Sequence, residues 1–117
     1  MLFRSVYESG YVKVQHSGGY VAKFTVTWDA PNDTGVFVAQ SWSSGNKTAG
    51  FSYTVGLDGD VRNVRVQAWA ATGLVWDPWG EIFNDVQGGP INRTYIAKGT
   101  TLHRSWSYED PAKAVDA

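Results

Sequence analysis

The chain contains no cysteine, so neither a disulfide framework nor a thiolate nucleophile or metal ligand is available. It holds two histidines, His16 and His103, with no cluster at ligand spacing, so no metal is expected. Charge of one sign is not in excess. Ten Lys and Arg stand against eleven Asp and Glu, a net charge of −1, and no footprint for nucleic acid follows from that balance. No apolar run approaches the roughly 20 residues of a spanning helix. The opening Met-Leu-Phe-Arg-Ser leads into no apolar segment of the kind a signal peptide needs. Helical periodicity is missing throughout. Acidic pairs such as Asp29 and Glu81 have the chemistry of a glycosidase couple, but nothing in their setting singles one out. Asp58 and Asp60 flank Gly59 as in a hairpin turn rather than a calcium loop. These absences together point away from an enzyme and from any cofactor.

What the chain does have is aromatic residues and strand pattern. Six Trp, six Tyr and five Phe are many for 117 residues. A chain of this length supports one modest hydrophobic core. Tyr20, Ala22, Phe24, Val26 and Trp28 alternate with Val21, Lys23, Thr25, Thr27 and Asp29, the period-two signature of a strand with one apolar face. Phe51, Tyr53, Val55 and Leu57 alternate in the same way. Strands are expected near 11–15, 20–29, 36–41, 51–57, 61–69, 81–86, 93–98 and 105–108, separated by Gly-, Asn- and Pro-rich turns. About eight short strands at such spacing argue an all-β fold, a single β-sandwich. The faces Phe24/Val26/Trp28 and Phe51/Tyr53/Val55 are the expected core. The sandwich should occupy residues 9–110, with a lead-in over 1–8 and a tail over 111–117.

One stretch resists this pattern. Residues 70–80 read Ala-Ala-Thr-Gly-Leu-Val-Trp-Asp-Pro-Trp-Gly, with Gly73, Pro78 and Gly80 interrupting regular pairing, so a loop is expected. Loops lie at the surface. Leu74, Val75, Trp76 and Trp79 on a surface loop either fold back onto the core or serve a ligand, a partner or a bilayer.

The same stretch resembles the tryptophan-rich undecapeptide of the cholesterol-dependent, or thiol-activated, cytolysins, whose usual form is Glu-Cys-Thr-Gly-Leu-Ala-Trp-Glu-Trp-Trp-Arg. Thr72, Gly73, Leu74, Trp76 and Trp79 match in register, and Asp77 keeps the acidic charge. The flanks agree. The run from Gly59 to Val66 is similar to the family's approach strand, and Gly99-Thr100-Thr101-Leu102 to the loop whose Thr-Leu pair recognises cholesterol. His16-Ser17-Gly18-Gly19-Tyr20-Val21-Ala22, followed by Trp28-Asp29, is similar to the domain's opening strands. The resemblance spans residues 9–108 with its motifs in one order. It departs from the family at Ala70, Ala71, Val75, Pro78 and Gly80, the last standing where the family carries the arginine that couples binding to pore assembly.

The resemblance implies a non-enzymatic binding module akin to the family's C-terminal membrane-recognition domain, without the pore-forming domains. In the family that domain is a β-sandwich that recognises cholesterol-rich membranes and, in some members, glycans. Four loops would then gather at one tip, near 17–20, 45–50, 72–80 and 100–104. The candidate ligand-binding residues are Gly18, Gly19, Tyr20, Lys47, Thr72, Gly73, Leu74, Trp76, Asp77, Trp79, Thr101, Leu102, His103 and Arg104. A threonine hydroxyl suits a sterol hydroxyl, and leucine suits the sterol's apolar body. A lectin is the alternative, since exposed Trp beside Asp, Asn and Arg gives a sugar a stacking face and planar hydrogen-bond partners. A protein-interaction module or toxin antagonist is a third reading. The expected partner is a sterol-containing membrane surface or a cell-surface glycan, with no nucleic acid. One tip alone should bind weakly, so a homo-oligomer, or a monomer acting only on dense ligand, is expected. With no signal peptide or spanning segment, the place of action is expected to be a membrane or cell surface reached from the cytoplasm or by non-classical release.

Overall fold

The computed structural model describes residues 10–57, 60–73, 78–89 and 91–110. The Asp58-Gly59 turn, the lead-in and the tail therefore lie outside the described residues. Eight strands form in chain order: β1 (Gly10–His16), β2 (Ala22–Pro31), β3 (Phe37–Ser43), β4 (Ser52–Leu57), β5 (Arg62–Ala71), β6 (Trp79–Gln87), β7 (Asn92–Gly99) and β8 (Arg104–Glu109). There is no helix among the described residues. The strands make two four-stranded sheets, one ordered β4-β1-β7-β8 and the other β3-β2-β5-β6. The all-β sandwich expected from the alternation is the fold. Every pairing is antiparallel except β1 with β7, which run in the same direction, Tyr11 opposite Asn92 and His16 opposite Ala97.

Alternation puts every second side chain between the sheets. Val12 and Val14 from β1 meet Phe24 and Val26 from β2, Val64, Val66, Ala68 and Ala70 from β5, Phe83 from β6, and Tyr95 and Ala97 from β7. Phe24 is fully buried and stacks on Phe51 at 6.0 Å between ring centroids. The small side chains Ala68 and Ala70 lie toward the loop end of β5.

The second expected core face needs correction. Val55 is buried and Phe51 half-buried, but Tyr53 is 49% exposed. β3 and β4 are both edge strands, with no neighbour beyond them to cover this ring. Tyr53 instead stacks on Trp42 of β3, centroids 4.9 Å apart and planes within 6°, closing one side of the sandwich. Trp28, also expected in the core, is half-buried at its margin. Phe83, Tyr95 and Trp106 make an equivalent aromatic seam on the opposite side, between β6 and β8.

The expected loop over 70–80 is shorter than the sequence suggests. β5 runs on through Ala71, and β6 begins at Trp79, with Ala71 paired to Trp79 and Ala70 to Gly80. The Trp79 and Gly80 positions are thus strand, because the hairpin neck is held by pairing that a glycine can still make.

Candidate functional site: the loop end of the sandwich

The odd-numbered strands run toward one end of the sandwich and the even-numbered strands leave from it. The connections 17–21, 44–51, 72–78 and 100–103 therefore share that end. Backbone hydrogen bonds tie them to one another. Gly19 N–H donates to Gly99 O at 2.9 Å, and Ser17 N–H to Ala97 O at 2.8 Å. Ala22 and Lys47 exchange both bonds, at 2.8 and 2.7 Å, and Gly50 N–H donates to His16 O at 2.8 Å. Ala71 N–H donates to Val21 O at 2.8 Å, and Thr72 N–H to Pro78 O at 2.9 Å across the neck of the tryptophan-rich loop. The structure places the four loops together, as expected. Leu74, Val75, Trp76 and Asp77 lie outside the described residues.

The first loop is anchored from beneath. His16 is a buried polar residue at the end of β1. Gly18 N–H donates to His16 Nδ1 at 3.2 Å, which leaves Nε2 to donate to Tyr20 O at 2.6 Å. Gly18 is buried, and a Cβ there would collide with the Tyr20 ring. Tyr20 is buried too, its ring 4.9 Å from that of His16 and its hydroxyl donating to Lys98 O at 2.8 Å. Burial pushes the Tyr20 phenol up, and the Arg104 charge offsets part of that. Gly19 is exposed. In the second loop Lys47 is half-buried, with Nζ over the Phe51 ring at 5.1 Å.

At the tryptophan-rich hairpin, Thr72 is half-buried and Gly73 exposed, the latter at φ +82°, a left-handed conformation that glycine adopts without strain. Trp79 is half-buried. Lys23 Nζ lies 4.2 Å from its ring centroid and 5.5 Å from that of Trp69, a cation held over two indoles on the outer face of the sheet. Lys23 and Trp69 were not among the sequence candidates. The signal was present, because they alternate outward on β2 and β5, but their pairing depends on the register Lys23 opposite Trp69.

The Thr101-Leu102 turn joins β7 to β8. Thr100 and His103 exchange backbone bonds at 3.2 and 3.1 Å. Gly99 stands at φ +91°, and a Cβ there would collide with the carbonyl of His103, so the turn closes only on glycine. Thr101 is half-buried, His103 exposed, and Leu102 is 83% exposed. Arg104 folds back beneath the turn, with Nη1 donating to Thr101 O at 2.6 Å. The end thus presents a braced hairpin with one bare leucine, beside a second hairpin built around tryptophan. Such a surface can bury apolar area against a partner.

The profile of the thiol-activated cytolysin beta sandwich domain matches residues 11–105. The chain belongs to this family. Listeriolysin O of Listeria monocytogenes is 36% identical over 109 residues, covering 86% of this chain and 20% of the relative. The crystal structure of wild-type pneumolysin superposes with a TM-score of 0.79 at 31% identity, over 89% of this chain and 23% of that one. A disulfide-locked mutant of intermedilysin, solved with human CD59, superposes with a TM-score of 0.73 at 32% identity, over 89% of this chain and 24% of that one. The chain spans about a fifth of the length of the curated cytolysins it matches. Both candidate hairpins of this cytolysin domain lie inside the matched range.

Proposed function

We propose that this cytolysin-family sandwich is a non-enzymatic recognition module that seats its loop end on a sterol-containing membrane surface. The observation that carries this reading is Leu102, 83% exposed at the crest of a turn closed by the paired Thr100 and His103 backbone bonds and by Arg104. A large apolar side chain held out on a rigid turn gains free energy when it meets hydrocarbon and loses little entropy in doing so. The Thr101 hydroxyl beside it suits a single sterol hydroxyl. Trp79, at the neck of the other hairpin, adds an indole, a ring that favours the membrane–water interface. Nothing is made or broken covalently. Gly80 stands where the family's undecapeptide ends in arginine, so the proposal is binding without perforation. Co-flotation of the protein with phosphatidylcholine vesicles of rising cholesterol content tests it. Binding should rise with cholesterol, and binding that ignores cholesterol would overturn the sterol assignment.

A protein partner is the second reading, supported by the intermedilysin relative solved with human CD59. It predicts cell binding that protease treatment of the cells abolishes. The glycan alternative predicts competition by free sugar.

A further inference from the structure

Arg104 opens β8, yet its side chain folds back onto the protein rather than extending freely into solvent. The side chain is half-buried and lies across the start of β6, a strand of the other sheet. An ideal Cβ on Gly80 would stand 2.7 Å from Nη2, 2.8 Å from Cζ and 3.1 Å from Nη1. Real carbon atoms do not approach so closely, so the guanidinium occupies the space where any other residue at position 80 would place its side chain. Gly80 has no positive φ to explain it, and it pairs with Ala70 in the β5–β6 ladder, two residues before the irregularity that skips Ile82. A glycine inside a strand marks close approach of another group, and here that group is Arg104. From this seat Nη1 holds Thr101 O at 2.6 Å, a charge-assisted bond to the turn that carries Leu102. Nε is buried and has no partner among the described residues, so the seat is kept by packing and by the Thr101 bond rather than by a full set of donors.

We propose that Arg104 is a positioning residue that clips the Thr101-Leu102 turn to the neck of the tryptophan-rich hairpin, and that Gly80 is glycine in order to admit it. The two hairpins then present their apolar residues as one unit rather than as two independent loops. The planar guanidinium is suited to this task, because it lies flat on a glycine backbone while a donor at its edge reaches the carbonyl. A lysine offers a point charge without the plane. The clip itself stands on geometry alone, while its consequence for membranes rests on the function proposed above.

The test uses Arg104→Ala, Arg104→Lys, Gly80→Ala and the Arg104→Ala/Gly80→Ala double variant. A methyl at position 80 meets only the far end of a flexible side chain, and swinging out to water gives Nε a partner. Gly80→Ala should therefore expel the guanidinium with the strand pairing intact. Backbone amide exchange by NMR is read at Thr100 and His103, whose bonds close the turn, with Val14 and Val66 as core references. Arg104→Ala should speed exchange in the turn roughly tenfold or more, the scale of one lost charge-assisted hydrogen bond. Gly80→Ala should do the same, Arg104→Lys should restore only part of the protection, and the core references should not move. The double variant should be no faster than either single one. Unchanged exchange in Arg104→Ala, or single effects that simply multiply in the double variant, would overturn the clip. Flotation of the same variants on cholesterol-containing vesicles separates the two proposals. If the wild-type protein fails to float while the exchange pattern holds, the membrane reading falls and the clip stands. If the wild type floats and exchange is unmoved, the clip falls and the membrane reading stands.

Discussion

Replacing Leu102 by alanine should uncouple binding from stability. The side chain is 83% exposed, so truncation removes almost no buried contact, and the fold should change by no more than about 0.5 kcal/mol, as for other surface substitutions. The same exposure means that nearly all of the side chain is available for transfer into hydrocarbon. Leucine exceeds alanine by three carbons, each worth about 0.8 kcal/mol on leaving water, so close to 2 kcal/mol of membrane affinity is at stake once exposure is taken into account. That corresponds to roughly a 30-fold weaker partition onto vesicles. The assay pairs flotation on cholesterol-rich vesicles with urea denaturation of the same preparations. Unaltered flotation would show that Leu102 does not enter the bilayer. A fall in the urea midpoint as large as a core substitution gives would show that the turn is part of the folding core, and either result refutes the reasoning.

Other expectations follow from particular packing. Phe24→Ala, at a fully buried ring stacked on Phe51, should cost about 3–5 kcal/mol in denaturation, enough to threaten a domain of ordinary stability. Burial, reinforced by the hydrogen bond from its hydroxyl to Asp85 at 2.6 Å, raises the Tyr95 phenol well above the usual range, with Arg93 partly opposing. Both states keep that proton below about pH 10; above it the unfolded chain ionises first, so stability should fall with rising pH, and Tyr95→Phe should flatten part of that alkaline loss in pH-dependent melting. The 117-residue chain should bind vesicles without releasing an entrapped dye, even at saturating protein. Sizing in solution, with surface binding at low and high cholesterol density, should show either self-association or affinity that climbs steeply with density; a strict monomer with tight, density-independent binding would point to a deep specific pocket instead.

The alternation of Tyr20 to Asp29 made β2 legible, because one buried face leaves a period-two record in the residues, while edge strands such as β3 and β8, with no fully buried side chain, were placed by the turn residues around them. Tyr53 was misplaced because alternation reports which side of a strand a residue occupies, not whether another strand lies over it. Only the order β4-β1-β7-β8 reveals that this ring sits at an edge. The loop at 70–80 was drawn too long because Gly80 was taken as a breaker, whereas its role is to leave room for a side chain 24 residues further on. No local pattern encodes such a contact. The gathering of the four loops was expected from the family resemblance, and the alternating strand directions are what bring it about.

The parallel pairing of β1 with β7 bears on how the molecule comes into being. Gly10–His16 is flanked by a strand some forty residues later and by another some eighty residues later. As a growing chain emerges, β1 can meet β4 by Leu57 but lacks its second neighbour until β7 exists. Contacts that span so much chain form slowly, because the closure entropy precedes any gain. The β2, β3, β5 and β6 sheet needs nothing beyond Gln87 and can pair earlier. Pulse-labelled exchange during refolding should accordingly protect β2 and β5 before β1 and β7. The bridge between Gly19 and Thr100, which joins the first loop to the last, closes only at the end of that sequence. A nascent or truncated chain that stops short of Thr100 therefore lacks the contact that ties the first loop to the last.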